Sequence, residues 1–320
     1  MPRKSGVFLR RLDAGTRAVS GTLGHMVARL QRWMVFGWLA ALVVWLIFQW
    51  PWPPWITLAG VFVLLFGHAA LLALEFAATY VVSRNDAVGR ATAIQCARAW
   101  LAESLVAPRV FGWYQPFRSR AIPDRLPRHS QRGVVLVHGF LCNRGFWHPW
   151  LEKLRAADRP FVAVDLEPVF GSIDDYVPII DDAIIRMTEA TGHPPLLLCH
   201  SMGGLAARAW LRCNADTSRV HRIVTIGTPH GGTWLARFAY SLNSRQMRVD
   251  ADWLRGIQDT HTGTQRVPFT CWFSNTDNMV FPASVSTLPG ADNRLVPGRG
   301  HIEMAFDPRV MRETLELLAH

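Results

Sequence analysis

Residues Leu196-Leu197-Leu198-Cys199-His200-Ser201-Met202-Gly203-Gly204 decide how the rest of the chain is read. A short apolar run ends in a histidine, a serine and two glycines, and Leu205-Ala206-Ala207-Arg208-Ala209-Trp210 continues as helix. The pattern predicts a strand, a sharp turn and a helix, with Ser201 at the apex. It fits G-x-S-x-G, which presents a serine nucleophile on a strained turn, except that Cys199 stands where the first glycine belongs. Small residues are needed there because strand and helix pack closely, and cysteine is small enough to serve.

The same rhythm extends outward. Val134-Val135-Leu136-Val137 runs into His138-Gly139-Phe140, and Phe161 to Leu166 reads as the next strand. Ile173 to Ala190 carries helical periodicity, and Arg222 to Ile226 leads to Gly227-Thr228-Pro229-His230-Gly231-Gly232-Thr233. Phe269-Thr270-Cys271-Trp272-Phe273 ends in Ser274-Asn275-Thr276-Asp277. Short apolar strands alternating with helices predict an α/β domain over 131–320, a mostly parallel sheet with helices on both faces. The stretch from Thr233 breaks the rhythm and predicts a small helical cap over about 233–266.

A serine hydroxyl is a weak nucleophile near neutral pH and needs a base, which in turn needs an orienting carboxylate. In a parallel sheet these groups come from loops at the carboxyl ends of strands. Asp277 follows a predicted strand, and His301 lies in the glycine-rich loop Gly298-Arg299-Gly300-His301. Asp292 is the rival acid, but Ala291-Asp292-Asn293 reads as the turn before the last strand, so Asp277 is preferred. An acyl-transfer intermediate also needs oxyanion donors. The sequence offers the amide of Met202, directly after the serine, and that of Phe140, where the first strand leaves the sheet.

The set Val137-His138-Gly139-Phe140, His200-Ser201-Met202-Gly203-Gly204 and Gly227-Thr228-Pro229-His230-Gly231-Gly232-Thr233 resembles bacterial lipases and esterases of the α/β-hydrolase superfamily. The order Ser201, Asp277, His301 is the order of that superfamily's triads. The Thr228-Pro229-His230 loop in particular resembles triacylglycerol lipase-type members. The resemblance covers roughly 131–320 and implies the α/β-hydrolase fold, carboxylic ester hydrolysis and a cap over an acyl pocket. Cys199 departs from the pattern, which bears on subfamily more than on catalysis.

The N-terminal part lies outside this resemblance. Residues 1–33 form a leader with seven basic residues opposed only by Asp13, and predicted apolar helices cover Met34–Trp50 and Ile56–Leu74. The first is about 26 Å long as a helix, close to a bilayer core of about 30 Å. Between them Pro51-Trp52-Pro53-Pro54-Trp55 forces a turn. The reading over 34–82 is a transmembrane helical hairpin, with Trp50, Trp52 and Trp55 as an interfacial belt and Glu75 as an interfacial residue. The basic leader and Arg84 and Arg90 put both ends, and the catalytic domain, in the cytoplasm of a bacterial inner membrane. A cleaved signal peptide would have too long a charged region and lacks a small-residue cleavage site. A buried hairpin in a soluble core is the bland alternative. Residues 83–130 join hairpin to catalytic domain through an amphipathic helix over Ala87–Ala107 and an ordered linker.

Composition agrees. Half of the 320 residues are hydrophobic and the net charge is +10, with the arginines spread along the chain and no base-reading motif. That favours a membrane partner over nucleic acid. The five cysteines are odd in number and lack a C-x-x-C pair, which argues for a reducing compartment, with Cys199 and Cys271 as buried free thiols. H-E-x-x-H, a phosphate loop and a dinucleotide fingerprint are missing from the sequence, so no metal or cofactor is implied, and His230 reads as a loop histidine near the active-site edge. The expected function is a membrane-anchored serine hydrolase acting on lipid or lipophilic esters. An acyltransferase or thioesterase would use the same triad, and a transport or scaffold protein would use the domain only to bind.

Overall fold

The computed structural model describes residues 26–48, 52–129, 131–214, 216–258 and 267–318. Among the described residues the sheet has six strands, all parallel; the first five are built on largely buried runs, and the last, Asp292–Leu295, is a polar, partly exposed edge. The chain order is β1 (Val134–Val137), α4 (His148–Ala156), β2 (Phe161–Ala163), α5 (Val177–Thr191), β3 (Leu196–His200), α6 (Met202–Cys213), β4 (Arg222–Ile226), β5 (Phe269–Phe273), β6 (Asp292–Leu295), α9 (His301–Ala305) and α10 (Pro308–Glu316). Between β4 and β5 lie a 3-10 turn (Trp234–Phe238), α7 (Leu242–Gln246) and α8 (Asp252–Gln258), in the region expected to form the cap. The remainder of that region, 259–266, lies outside the described residues.

The spatial strand order is β2-β1-β3-β4-β5-β6. The chain steps from β1 outward to β2, then crosses back to the other side of β1. The direction of winding therefore reverses between β1 and β3, and the crevice of such a sheet opens beyond the carboxyl ends of those strands. One face carries Val135, Leu197, Cys199, Ile223 and Cys271 against α5 and α6. The other carries Leu136, Leu198, Val224 and Trp272 against α4, α9 and α10. The result is the parallel sheet with helices on both faces that the alternating pattern predicts.

Two boundaries within the sheet differ from expectation. The second strand stops at Ala163 rather than Leu166 because the following groups find partners outside the ladder. Asp165 accepts from Arg144 N at 2.7 Å, and Leu166 N donates to His138 Nε2 at 3.0 Å. Asp292 is the first residue of β6 rather than part of a preceding turn, and it is paired with Arg294.

The N-terminal helices are α1 (Met26–Phe48), α2 (Pro54–Val82) and α3 (Ala93–Arg109). Residues 1–25 of the leader and the tip 49–51, with Trp50, lie outside the described residues. α1 begins eight residues before the expected boundary, and Val27, Ala28 and Gln31 in its first turns are buried. Pro54 opens α2 at a position where a missing amide proton costs nothing. α3 starts at Ala93 rather than Ala87 because Thr92 and Gln95 form a reciprocal capping box. α3 lies along α2, with Trp100 Nε1 donating to Ala69 O at 2.7 Å and a His68 ring nitrogen 3.0 Å from Ser104 O. Its Ile94, Leu101 and Leu105 remain exposed.

Candidate active site

Ser201 sits between β3 and α6 with φ 54° and ψ −128°. That backbone is sterically costly for a residue with a Cβ, by about 1–3 kcal/mol, and persists only where neighbours impose it. Three hydrogen bonds do so. Ser201 N donates to Ile226 O at 2.9 Å, Thr228 Oγ1 donates to Ser201 O at 2.9 Å, and Gly204 N donates to Ser201 O at 3.1 Å. The side chain is partly exposed at the sheet's carboxyl edge, while Cys199 two residues earlier is fully buried in the core.

Asp277 lies in the loop after β5 and is buried. Its Oδ1 accepts from Met279 N at 2.9 Å and Val280 N at 2.8 Å, which leaves Oδ2 aimed at His301. His301 opens α9, and its Nδ1 lies 2.9 Å from Asp277 Oδ2. A ring nitrogen facing a carboxylate carries the proton, so Nε2 is left as the acceptor. Burial alone would lower the His301 pKa, but Asp277, through charge and hydrogen bond, together with Glu103 and Glu75, outweighs it and the pKa is raised.

The residues predicted from sequence stand around the end of β4. Asp277 and His301 are joined directly, and a Cβ on Gly227 would fall 3.0 Å from both Asp277 Oδ2 and His301 Nδ1. Ser201 is held to Ile226, one residue away, and its neighbour His200 has its ring centroid 4.6 Å from that of His301. Among the described residues no hydrogen bond joins Ser201 Oγ to His301. The His138-Gly139-Phe140 loop lies against the serine, since a Cβ on Gly139 would fall 2.8 Å from Ser201 Cβ. Glycine is needed there for that approach. Among the described residues the Phe140 and Met202 amides donate to no other residue. Asp292, the rival acid, is in the β6 strand and bonded to Arg294 and Thr270.

Several residues around this cluster were not legible as site residues. His200 donates from Nε2 to His301 O at 3.2 Å and stacks on Phe146, and burial holds its pKa well below the ordinary histidine range. Asn278 accepts from His301 N at 3.0 Å and donates to Glu75 Oε2 at 2.7 Å, so Glu75 faces the acid loop. Glu103 of α3 accepts from Ile302 N and Glu303 N, both at 2.8 Å. His230 is buried, with a ring nitrogen 3.1 Å from Thr225 Oγ1 and 3.6 Å from Cys271 Sγ.

The sequence pattern of the alpha/beta hydrolase family matches residues 134–287. A Bacillus licheniformis lipase in its mature form superposes with a TM-score of 0.54 at 17% identity, over 61% of this chain and 95% of that one. Aspergillus fumigatus lipase B superposes with a TM-score of 0.50 at 18% identity, over 59% of this chain and 53% of that one. A search of curated proteins finds no significant match. At such identities the likeness is one of fold. Residues 134–287, just under half of the chain, match that family, and the parallel sheet with its switch point and strained serine turn gives this part of the chain the α/β-hydrolase fold.

Proposed function

We propose that the protein is a membrane-anchored serine hydrolase that cleaves carboxylic esters of lipids or other lipophilic alcohols and acids. The observation that carries this reading is the buried Asp277–His301 pair beside the strained Ser201 turn.

In the reaction, His301 Nε2 takes the Ser201 proton as Oγ attacks the ester carbonyl. The negative charge that develops on the carbonyl oxygen is received by the amides of Phe140 and Met202, fixed dipoles that need no reorganisation. Asp277 keeps the His301 proton on Nδ1 and stabilises the imidazolium. The imidazolium then delivers its proton to the leaving alkoxide, and an acyl ester on Ser201 remains. Water attacks that ester with His301 again as base, which releases the acid and restores the serine.

Anchoring is supported by the two N-terminal helices. Met26–Phe48 and Pro54–Asn85 are long and apolar enough to cross a membrane, and their most apolar windows are 6% and 0% buried. Trp33, Ile47, Phe48, Trp55, Leu58 and Phe62 are all exposed. A contiguous apolar surface of that kind needs a cover, and a bilayer supplies one. The exposed Phe238, Tyr240 and Leu242 in the cap region would present further apolar surface to an acyl chain.

Fluorophosphonate labelling of membrane and soluble fractions tests both parts of the reading, with wild type and Ser201→Ala compared. Labelling of wild type alone, in the membrane fraction, is expected. Equal labelling of the variant would remove Ser201 from its role, and a folded wild type that takes no label would leave the domain as a binding module.

A further inference from the structure

Each of the three N-terminal helices touches a different loop of the candidate site. α3 contributes Glu103, which is 1% exposed and whose two oxygens accept from Ile302 N and Glu303 N at 2.8 Å each. These are the amides directly after His301, at the open end of α9, where no intrahelical acceptor exists for them. α2 contributes Thr79, whose Oγ1 donates to the Asp277 carbonyl at 3.2 Å, and Glu75, which holds Asn278. Asn278 in turn accepts from His301 N at 3.0 Å. α1 contributes Gln31, whose Nε2 donates to Gln115 Oε1 at 3.2 Å and to Leu141 O at 3.4 Å. Leu141 follows Phe140, and Gln115 Oε1 also accepts from Asn143 N at 3.0 Å.

We propose that the N-terminal helices are the positioning frame of the active site, with Glu103 setting the base, Thr79 and Glu75 the acid loop, and Gln31 the loop that carries the Phe140 amide. This rests on the serine-hydrolase reading above. None of the four residues touches the reacting atoms. They act through the backbone of the loops that do. The helices that enter the membrane thereby also hold the catalytic groups in register, and the esterase site is competent only while they are docked on the sheet domain.

The arrangement is unlike a passive tether, which needs only a covalent link. Losing the Glu103 carboxylate would strand two amides in a buried place and free the first turn of α9, on which the imidazole is mounted. Misplacing a reacting group by about 1 Å costs on the order of 100-fold in rate. Burial pushes the Glu103 carboxyl up to about 7, so a neutral glutamine removes a charge that the fold already disfavours, and E103Q is the variant of choice.

The test uses the full chain in detergent, with the rate of fluorophosphonate labelling and hydrolysis of a short p-nitrophenyl ester as readouts. Glu103→Gln keeps one acceptor and Glu103→Ala none, so labelling is expected to slow about 10-fold and about 100-fold respectively, with KM little changed. The groups facing His301 are Asp277, Glu103, Glu75 and His200. Removing one carboxylate from that set lowers the His301 pKa, so the acid limb of kcat/KM moves to lower pH, which mere loosening of the fold would not do. Leu101→Ala on the exposed side of α3 keeps wild-type rates. Wild-type labelling with an unmoved acid limb in both Glu103 variants overturns the proposal. Should both fail to fold, Thr79→Val, which loses only a hydroxyl, is expected to slow labelling several-fold, and a wild-type rate there overturns it equally. A wild type that takes no label defeats the hydrolase reading itself, whereas label on wild type but not on Ser201→Ala leaves that reading standing and lets the variants decide the frame.

Discussion

His301 Nδ1 donates to Asp277 Oδ2 at 2.9 Å, with both side chains buried. The other carboxylate oxygen is committed to two backbone amides, so the acid has one orientation and the imidazole one tautomer. Asp277→Asn keeps an acceptor for Met279 N and Val280 N, and the loop should therefore hold. Where the amide group faces the ring, however, Nδ1 becomes the acceptor and Nε2 carries the proton, which is the wrong tautomer for a base. The kcat for a short ester is expected to fall by about 10⁴, with an unchanged thermal transition. A drop of less than tenfold would move the acid to another residue.

The pH profile follows from the same pair. In the proposed reaction a neutral His301 takes the serine proton, so kcat/KM is expected to rise with pH through the pKa of the free enzyme's imidazole. Burial works against the charged ring, but Asp277, Glu103 and Glu75 prevail and the pKa is raised. The acid limb is therefore expected above the ordinary histidine value of about 6.5. His200 stays neutral across that range and should contribute no second limb, because burial depresses its pKa. A limb centred well below 6, measured with a neutral ester, would contradict this balance of charges.

The sheet and the serine turn were legible because each is local. Apolar runs such as Leu196 to Leu198 mark fully buried strands, and the turn residues around Ser201 mark a change of direction within a few positions. The second strand was read three residues too long for the same reason. Val164 and Leu166 are apolar and buried, but burial in a loop and burial in a ladder leave the same trace in sequence. Glu103 was illegible for the opposite reason. In a helix with an apolar stripe a lone glutamate reads as a solvated position, and its partner Ile302 lies 199 residues downstream. The contact between Glu75 and Asn278 was hidden likewise, since nothing near Glu75 in sequence announces it.

Gly300→Ala gives independent access to the Glu103 contact. The φ of −72° at Gly300 suits alanine, but the new Cβ would fall 2.5 Å from Glu103 Oε2. The methyl displaces the carboxylate while every polar group at the site is kept. Slower labelling is expected, and because the two changes break one contact, Gly300→Ala and Glu103→Ala together should cost little more than Glu103→Ala alone. Fully additive losses would mean that the methyl acts elsewhere.

Cys199→Gly restores the glycine of the usual turn pattern, yet it should not improve the protein. The thiol is fully buried in the core beside Leu197 and Met202. Its removal opens a cavity and adds backbone freedom in the unfolded chain, for an expected loss of about 2 kcal/mol. The measurement is the urea midpoint of the purified chain, and ester turnover below that midpoint should be retained, since Ser201 is fixed by Ile226 and Thr228.

Two forces would hold the chain at a bilayer, and salt separates them. The net charge of +10 draws it to anionic headgroups, an attraction screened at about 1 M salt, where the Debye length is about 3 Å. Insertion of α1 and α2 depends instead on apolar side chains such as Trp33, Leu58 and Leu74, which are 75%, 69% and 69% exposed on the isolated protein. Each side chain of this size gains about 1.5–3 kcal/mol on leaving water, so several together give binding that salt does not reverse. Washing membranes at high salt and then at alkaline pH should leave the protein in the pellet, and only detergent should release it. Release by salt alone would make the contact electrostatic, leave α1 and α2 outside the hydrocarbon, and require another cover for their apolar faces.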